Sequence, residues 1–345
     1  MVSRMSFASR IAALFILLVL VVLTSACATT PPGPAGPPDL ATELGPTEGL
    51  SLVPAGELRR SATYSMLAVL LPEDRTPEDV VKAIATAAAT HERPLTRSTA
   101  ELLEGSVLVD VVPVQTILSF DVIDFDALEL DAAEVARIKA TKTAISMVIA
   151  GPAEALAVVQ RQAADIARAA VQGGGWLFDG GTFQVFSAER FGNFRPQGFP
   201  LEVERLITVM VDDSSAAVRL ETLGMERLGL PELRMVDVPR PQVDSAVALF
   251  NAAAQILVEQ GSLDTAGELV IDLTSARMPH LREAHAQATG TGGGQPLTLR
   301  AFWDPTQRPE DSDPVIRLDL VGNAPDRGAA FAAAIVRVFG NETSD

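Results

Sequence analysis

Apolar and polar positions over residues 58–200 follow two different periods, which predict a series of strands and helices. Continuous apolar runs predict strands at 63–71, 106–114 and 144–151, and a hairpin at 173–187 with Asp179-Gly180 in its turn. Helical spacing and start signals predict helices at 76–89, after Asp131, and from Pro152 to Val171. Thr76 is the expected N-cap of the first helix, with Pro77 at its first position.

The second half of the chain repeats this alternation. Strands are expected at 205–212 and 232–238, helices at 214–228 and 243–260, then three strands within 267–322 and a last helix at 329–339. Gly229 is expected to end the first of these helices in the left-handed conformation, and the second helix is expected to end at Gly261.

Several of these strands follow one another without an intervening helix, which favours an α+β fold over a doubly wound parallel one. We therefore expect mixed sheets flanked by helices. The segment 194–204 holds two prolines and a glycine between the two series. It predicts two subdomains, at 58–200 and 201–340, each of ordinary domain size.

The longest apolar run lies before this body and is typical of an export signal. Arg4 and Arg10 precede thirteen apolar residues, Ile11 to Leu23, and small residues follow up to Ala26. As a helix, thirteen residues rise about 20 Å, which is short of a hydrocarbon core of roughly 30 Å. A transmembrane anchor is therefore the weaker interpretation.

The only cysteine of the chain, Cys27, comes directly after this run. The stretch LTSAC resembles the lipobox of bacterial lipoproteins, although Thr24 stands where an aliphatic residue is usual. The resemblance implies that residues 1–26 are removed and that Cys27 is diacylated, which attaches an exported protein to a membrane. In a Gram-negative host, Ala28 would permit transfer to the outer membrane. A plain cleaved signal peptide, or a buried cysteine, is the alternative.

Composition limits the kinds of segment and function that the chain can have. Residues 27–57 are predicted to be a disordered linker, because 28–56 alone contain seven prolines and five glycines. The formal net charge is −17, and removal of Arg4 and Arg10 lowers it to −19. Such a surface repels phosphate backbones, so nucleic-acid binding is not expected. A mature chain without a second cysteine has no disulfide and no thiolate metal site.

Part of the body resembles a functionally uncharacterised bacterial family. The resemblance is carried by AISMVIAGPAEALAVVQRQAADIARAA, by WLFD and FSAERF, and by LGMERLGLPELRMVDV, within residues 63–275. It implies a unit of strand, long helix and short strand, and it transfers no catalytic residue.

The best metal candidate is the group His280, Glu283 and His285. Zinc hydrolases place two histidines four residues apart on one helix face. The spacing of five found here turns the two rings about 140° apart on a helix. Solvated polar residues are the competing interpretation, and a metal-dependent hydrolase is kept as the alternative function.

Other candidates match known sites less well. The acidic segment with Asp121, Asp124, Asp126, Glu129 and Asp131 lacks the alternation of a calcium loop, and the acidic loop Asp304 to Asp313 has no ligand pattern. The glycine runs 173–175 and 290–294 precede strands, whereas phosphate-binding loops precede helices. Each is expected to be an ordinary loop.

The loop RFGNFRPQGF is the candidate partner surface. Exposed aromatic and arginine side chains favour interfaces, which selects Phe191, Phe194, Arg195 and Phe199. The alternative is that these rings cap the core. We therefore expect a membrane-anchored envelope lipoprotein without a cofactor that acts as a non-enzymatic binding or assembly module, with an envelope protein as its partner.

Overall fold

The computed structural model describes residues 50–102, 104–125, 128, 130–194, 201–214, 218–272, 296–304, 315–320 and 326–339. They form two compact units, which we name unit 1 (61–201) and unit 2 (50–60 together with 202–339). The first strand, β1 (Gly56–Glu57), belongs to unit 2. The fold is α+β, with helices beside mixed sheets.

Unit 1 is built on a six-stranded sheet in the order β3-β4-β5-β2-β6-β7. Only β3 and β4 run parallel, and the other neighbours are antiparallel. The strands are β2 (Ala62–Leu70), β3 (Leu95–Thr96), β4 (Val107–Pro113), β5 (Thr143–Pro152), β6 (Trp176–Asp179) and β7 (Gln184–Ser187). The helices are α1 (Pro77–Ala89), α2 (Thr99–Leu102), α3 (Val114–Ile117), α4 (Ala132–Ala140), α5 (Leu156–Val171) and α6 (Ala188–Phe194).

Both faces of the unit 1 sheet are covered. Helix α5 packs against β2 and β5, and α1 packs against α5. A second apolar cluster joins Ala68 and Leu70 of β2 with Trp176 and Phe178 of β6, and with Ile138 of α4. Because these strands carry apolar residues toward both faces, their sequences are near-continuous apolar runs rather than alternating ones.

Unit 2 has a second six-stranded sheet, in the order β12-β13-β14-β10-β9-β8. Its strands are β8 (Thr208–Asp212), β9 (Val218–Leu223), β10 (Glu232–Val238), β12 (Glu268–Ile271), β13 (Leu297–Asp304) and β14 (Val315–Asp319). The helices α7 (Val243–Gln260) and α8 (Arg327–Phe339) follow β10 and β14 in the chain. A separate pair joins β1 to β11 (Ser262–Leu263).

The chain order in unit 2 is three antiparallel strands, a helix, three antiparallel strands and a helix. The third strands of the two series, β10 and β14, pair in parallel at the centre of the sheet. Parallel neighbours need a long crossover, and here α7, β12 and β13 provide it. The α+β class predicted from the sequence is confirmed.

Start and stop signals lie where the sequence predicts them. Thr76 caps α1 by accepting from the Asp79 amide, and Asp131 caps α4 by accepting from the Glu134 amide. Gly229 and Gly261 have φ of 80° and 72°, and each ends a helical segment. The predicted helix from Pro152 begins with a 3-10 turn, Ala153–Ala155, before α5.

The predicted helix at 214–228 is wrong. Residues 218–223 form strand β9 between β8 and β10, and Glu226–Leu228 is a 3-10 turn. Val218, Leu220 and Thr222 are buried at alternate positions, so the stretch also fits a period of two. Hydrogen bonding to strands on both sides overrides a helical pattern of this length.

The predicted linker extends too far toward the body. Residues 50–57 were expected to be disordered, but Leu52 bridges to Phe302, and β1 pairs with β11. Val53 is fully buried, and its amide donates to the Ala301 carbonyl at 3.1 Å. The apolar side chain of Val53 explains this pairing, because it is buried in the core of unit 2.

Candidate functional site

Five adjacent strands of unit 2 each place one side chain in a row on one face of the sheet. Paired residues on neighbouring strands share a face, so the strand register defines this row. From the β8 edge inward, the row is Met210, Glu221, Arg234, Arg317 and Phe302. Leu233 and Met235, on either side of Arg234 in the sequence, are buried on the opposite face.

Arg234 is the centre of a buried ion cluster in this row. Its Nε and Nη2 donate to Glu221 Oε2 at 3.1 and 2.8 Å, and its Nη1 donates to Asp304 Oδ2 at 2.9 Å. The side chains of Arg234 and Asp304 are 7% and 0% exposed. Burial is the largest single influence on the pKa of Arg234 and lowers it, but the two carboxylates together outweigh burial and raise this pKa.

The ion cluster is closed to ligands by its own geometry. Each nitrogen of the Arg234 guanidinium already donates to a carboxylate, so the group offers no free fork to an incoming anion. The cluster links β9, β10 and β13 and so fixes their register. We therefore assign it a structural role, since removal of one partner would leave a buried charge.

Glu232 has a similar role at the β9–β10 connection. Its Oε1 accepts from the Gly224 amide at 2.9 Å, and its Oε2 accepts from Thr222 Oγ1 at 2.7 Å. Gly224 has φ of 115°, a backbone conformation that favours glycine. The buried carboxylate thus fixes the turn that brings β9 beside β10.

The open end of the row is strand β8, at the edge of the sheet. Met210 and Val211 are 41% and 49% exposed, so this edge strand has two adjacent exposed apolar side chains. Met210 lies on the face of Glu221, and Val211 pairs with Leu220 on the other face. Such an edge, with apolar groups on both faces, is a template for strand addition.

The end of β8 is fixed by Asp212. Its Oδ1 accepts from Ser214 Oγ at 2.6 Å, and its Oδ2 accepts from Arg219 Nη2 at 2.7 Å. Hydrogen bonds from the Ser214 hydroxyl and amide, together with the Arg219 charge, hold the pKa of Asp212 below its ordinary value. The carboxylate therefore stays charged at neutral pH and anchors β8 to β9.

Most residues predicted to form sites lie outside the described part of the chain. These are Cys27, the metal candidates His280, Glu283 and His285, Arg195 and Phe199 of the partner loop, and the loop 290–294. The side chain of Phe194 is also outside it, and so are Asp126 and Glu129 of the acidic segment.

Two predicted residues have a different environment from the one expected. Phe191 was a candidate for a partner surface, but it is 0% exposed and packs edge-on against Phe186 at 5.7 Å between ring centroids. A fully buried ring belongs to the core, as the alternative interpretation held. Asp304 was expected to begin an acidic loop, but its side chain is buried against Arg234 because β13 extends to include it.

The other polar contacts considered in the described part join elements and do not form a binding site. His91 Nε2 lies 3.5 Å from Asp165 Oδ2, and Arg168 holds the other oxygen of that carboxylate at 2.9 Å, which joins the end of α1 to α5. Within the described ranges, no three histidine, cysteine or carboxylate side chains converge on a metal position. The cleft beside Asp237, Asp319 and Phe331 has no room for a ligand.

The sequence predicts β8 as a strand but does not reveal its edge position. Edge position depends on which strands pair, and the predicted helix at 214–228 removed β9 from the expected sheet. The signal available was the composition of TVMVD, five residues without lysine or proline. Such a strand is central, or it is an exposed edge that a partner can use.

Comparison of the chain with protein-family models, with curated proteins and with solved structures gives no significant match. No helix among the described residues is both long enough and apolar enough to cross a membrane.

Proposed function

We propose that the protein is an exported envelope lipoprotein, anchored through acyl chains on Cys27, whose α+β body is a binding or assembly module rather than an enzyme. The position of Cys27 carries the proposal. The only cysteine in 345 residues directly follows the apolar run Ile11 to Leu23 and three small residues. A cysteine placed for packing or for metal binding would lie within the folded body.

Anchoring by lipid fits the length of the apolar run. Each buried methylene of an acyl chain adds about 0.8 kcal/mol of membrane affinity, so two or three chains hold a protein stably. Palmitate is a typical chain of this kind. The proline-rich segment after Cys27 would then separate the folded units from the membrane surface.

An assembly role is supported by the β8 edge. Met210 and Val211 expose apolar side chains at a strand edge that no described strand occupies. The ion cluster around Arg234 fixes the register of the adjoining strands, and a preformed edge loses little entropy when a second strand is added. The acidic charge of the chain favours a protein partner over nucleic acid.

Mass spectrometry of the mature N-terminus tests the proposal. The full chain is expressed in a bacterial host with its own leader, extracted from membranes and digested. We expect an N-terminal peptide that begins at Cys27 and carries the added mass of a diacylglyceryl group. The matched control is Cys27→Ser, which should keep residues 1–26 and lack the added mass. An unmodified Cys27, or an intact leader in the unaltered chain, would overturn the proposal.

A further inference from the structure

The four outer edges of the two six-stranded sheets differ in how they are protected. In unit 1, β3 has only two residues, and β7 runs directly into α6, which packs against it. In unit 2, β12 has four residues, carries the Glu268–Arg300 ion pair at 3.5 Å and exposes Val270. Short length, coverage and charge are the usual means by which proteins prevent edge-to-edge pairing. Among these described edges, β8 is the longest, with five residues, and it exposes two adjacent apolar side chains.

The exposed side chains of β8 lie on both faces of the sheet. Met210 shares the face of Glu221, and Val211 shares the face of Leu220. A helix or a globular surface packed on one face would cover only one of the two. A strand hydrogen-bonded along the edge places side chains beside both, so an extended segment is the occupant that fits.

One antiparallel register opposes all five residues of β8 to those of a second copy, and in this register the strand is complementary to itself. With Met210 opposite Met210 of a second copy, Val209 lies opposite Val211 and Thr208 opposite Asp212. Apolar residues then meet apolar residues, and no like charges are opposed. Centring on Val211 would put Asp212 opposite Met210, and centring on Asp212 would oppose two carboxylates. A two-fold interface requires this kind of self-complementarity.

We propose that β8 pairs antiparallel with β8 of a second copy, about a two-fold axis at Met210, and joins two six-stranded sheets into one. This inference rests on the proposed assembly role and names the partner as the protein itself. It does not depend on lipidation, because each residue that it uses lies in the folded body.

The size of the strand predicts a weak dimer in solution. A strand of five residues spans about 17 Å. Five residues per partner are far fewer than the 20–30 of a standard interface. The net charge of −17 on each copy also opposes association at low salt. Copies held on one membrane would meet at a higher effective concentration, which would strengthen the same pairing.

Disulfide trapping tests the register. Met210→Cys is made in the full chain with Cys27→Ser, so that the only thiol is at the two-fold axis and lipidation has no influence. Directly opposed Cα atoms lie about 4.5–5.5 Å apart, within the range that a disulfide bridges. On mild oxidation in detergent micelles, we expect a reducible dimer on a gel.

Val211→Cys in the same background is the matched control. Its two copies would be diagonal neighbours about 7–8 Å apart, outside the bridging range. Val211 is more exposed than Met210, so random collision would trap it at least as well. We expect at least ten-fold more dimer from Met210→Cys. Equal or greater trapping of Val211→Cys, or none of Met210→Cys, would overturn the inference.

Charge exchange provides an independent test of the two-fold axis. In two differently tagged full chains, Met210→Lys and Met210→Glu should each abolish self-association, because like charges then face each other. The mixture of the two should restore co-purification. If the mixture stays monomeric while the unaltered chains associate, a second copy does not pair at Met210. An acylated Cys27 with no trapping would leave the anchoring proposal intact and reject only the self-pairing.

Discussion

Arg234 lies in the interior of unit 2 with a carboxylate on either side, from Glu221 and Asp304. Taking a guanidinium and two carboxylates out of water is costly, and the arrangement is stable only because each charge has hydrogen-bonded partners. The three residues come from β10, β9 and β13. Strands that slipped by one residue would leave all three charges without partners, so the cluster specifies the register of the sheet.

We expect Arg234→Met to lower the free energy of unfolding by about 3–5 kcal/mol, because two buried carboxylates lose their partner. The matched control is Arg219→Met, whose partner Asp212 is half-exposed, so its loss should stay below about 1 kcal/mol. Urea denaturation followed by circular dichroism measures both changes.

A companion variant separates charge from packing at this position. Replacing Arg234 by Met together with Glu221→Leu and Asp304→Leu should recover part of the lost stability, since the three charges of the cluster are then removed together. An Arg234→Met change as small as that of Arg219→Met would show that the cluster does not hold the sheet.

Residues whose environment is local could be predicted from the sequence, and the members of this cluster could not. Thr76 and Asp131 cap helices through amides three residues ahead, so a short window of sequence contains the whole interaction. Arg234 and Asp304 are 70 residues apart. Their pairing depends on the sheet order, and the sequence therefore predicted only that Asp304 begins an acidic loop.

At the level of single elements, helix α1 is the clearest case of local specification. Thr76 Oγ1 accepts from the Asp79 amide at 3.3 Å and donates to Asp79 Oδ2 at 2.7 Å, and Pro77 occupies the first helical position. Val80, Ile84 and Ala88 form its buried face at helical spacing.

We expect Thr76→Ala to destabilise unit 1 by about 1 kcal/mol, because an orphan amide of the first turn loses its acceptor. Thr86→Ala is the control in the same helix. Thr86 is exposed and bonds only back to the Lys82 carbonyl, so its replacement should be neutral within about 0.5 kcal/mol or slightly stabilising. Thermal unfolding of both variants is the measurement, and equal losses would contradict a specific cap.

Strand β9 could not be predicted from its own sequence. Its apolar positions fit a helix as well as a strand, and only its neighbours β8 and β10 decide between them. The same error concealed the edge position of β8, so the candidate surface at Met210 and Val211 was not among the predicted site residues. Cys27 could be proposed as a lipidation site from sequence alone because its context is wholly local.

On the scale of the whole molecule, unit 2 is discontinuous in the chain. Residues 50–60 belong to it, then the chain forms unit 1, and it returns to unit 2 at 202. The buried Val53 joins the first segment to the rest, since the Gly267 amide donates to its carbonyl at 2.7 Å and its own amide donates to Ala301.

We expect Val53→Ala to destabilise unit 2 by about 2–3 kcal/mol through lost burial and a cavity, and to leave unit 1 unchanged. Leu52→Ala is the neighbouring control. That side chain is 45% exposed, and its loss should stay below about 1 kcal/mol. Amide hydrogen exchange measures the stability of each unit separately. Faster exchange throughout unit 1 in Val53→Ala would show that residues 50–60 do not belong to unit 2 alone.

The discontinuity of unit 2 also orders events during synthesis. Val53 leaves the ribosome roughly 250 residues before Ala301, its partner in β13. At about 5–20 residues per second, the first segment waits on the order of ten to fifty seconds for the strand that will cover it. Unit 1 is complete well within that interval. The segment 50–60 therefore spends its early life with Val53 uncovered, a period in which a chaperone can reach an apolar side chain that the folded protein buries.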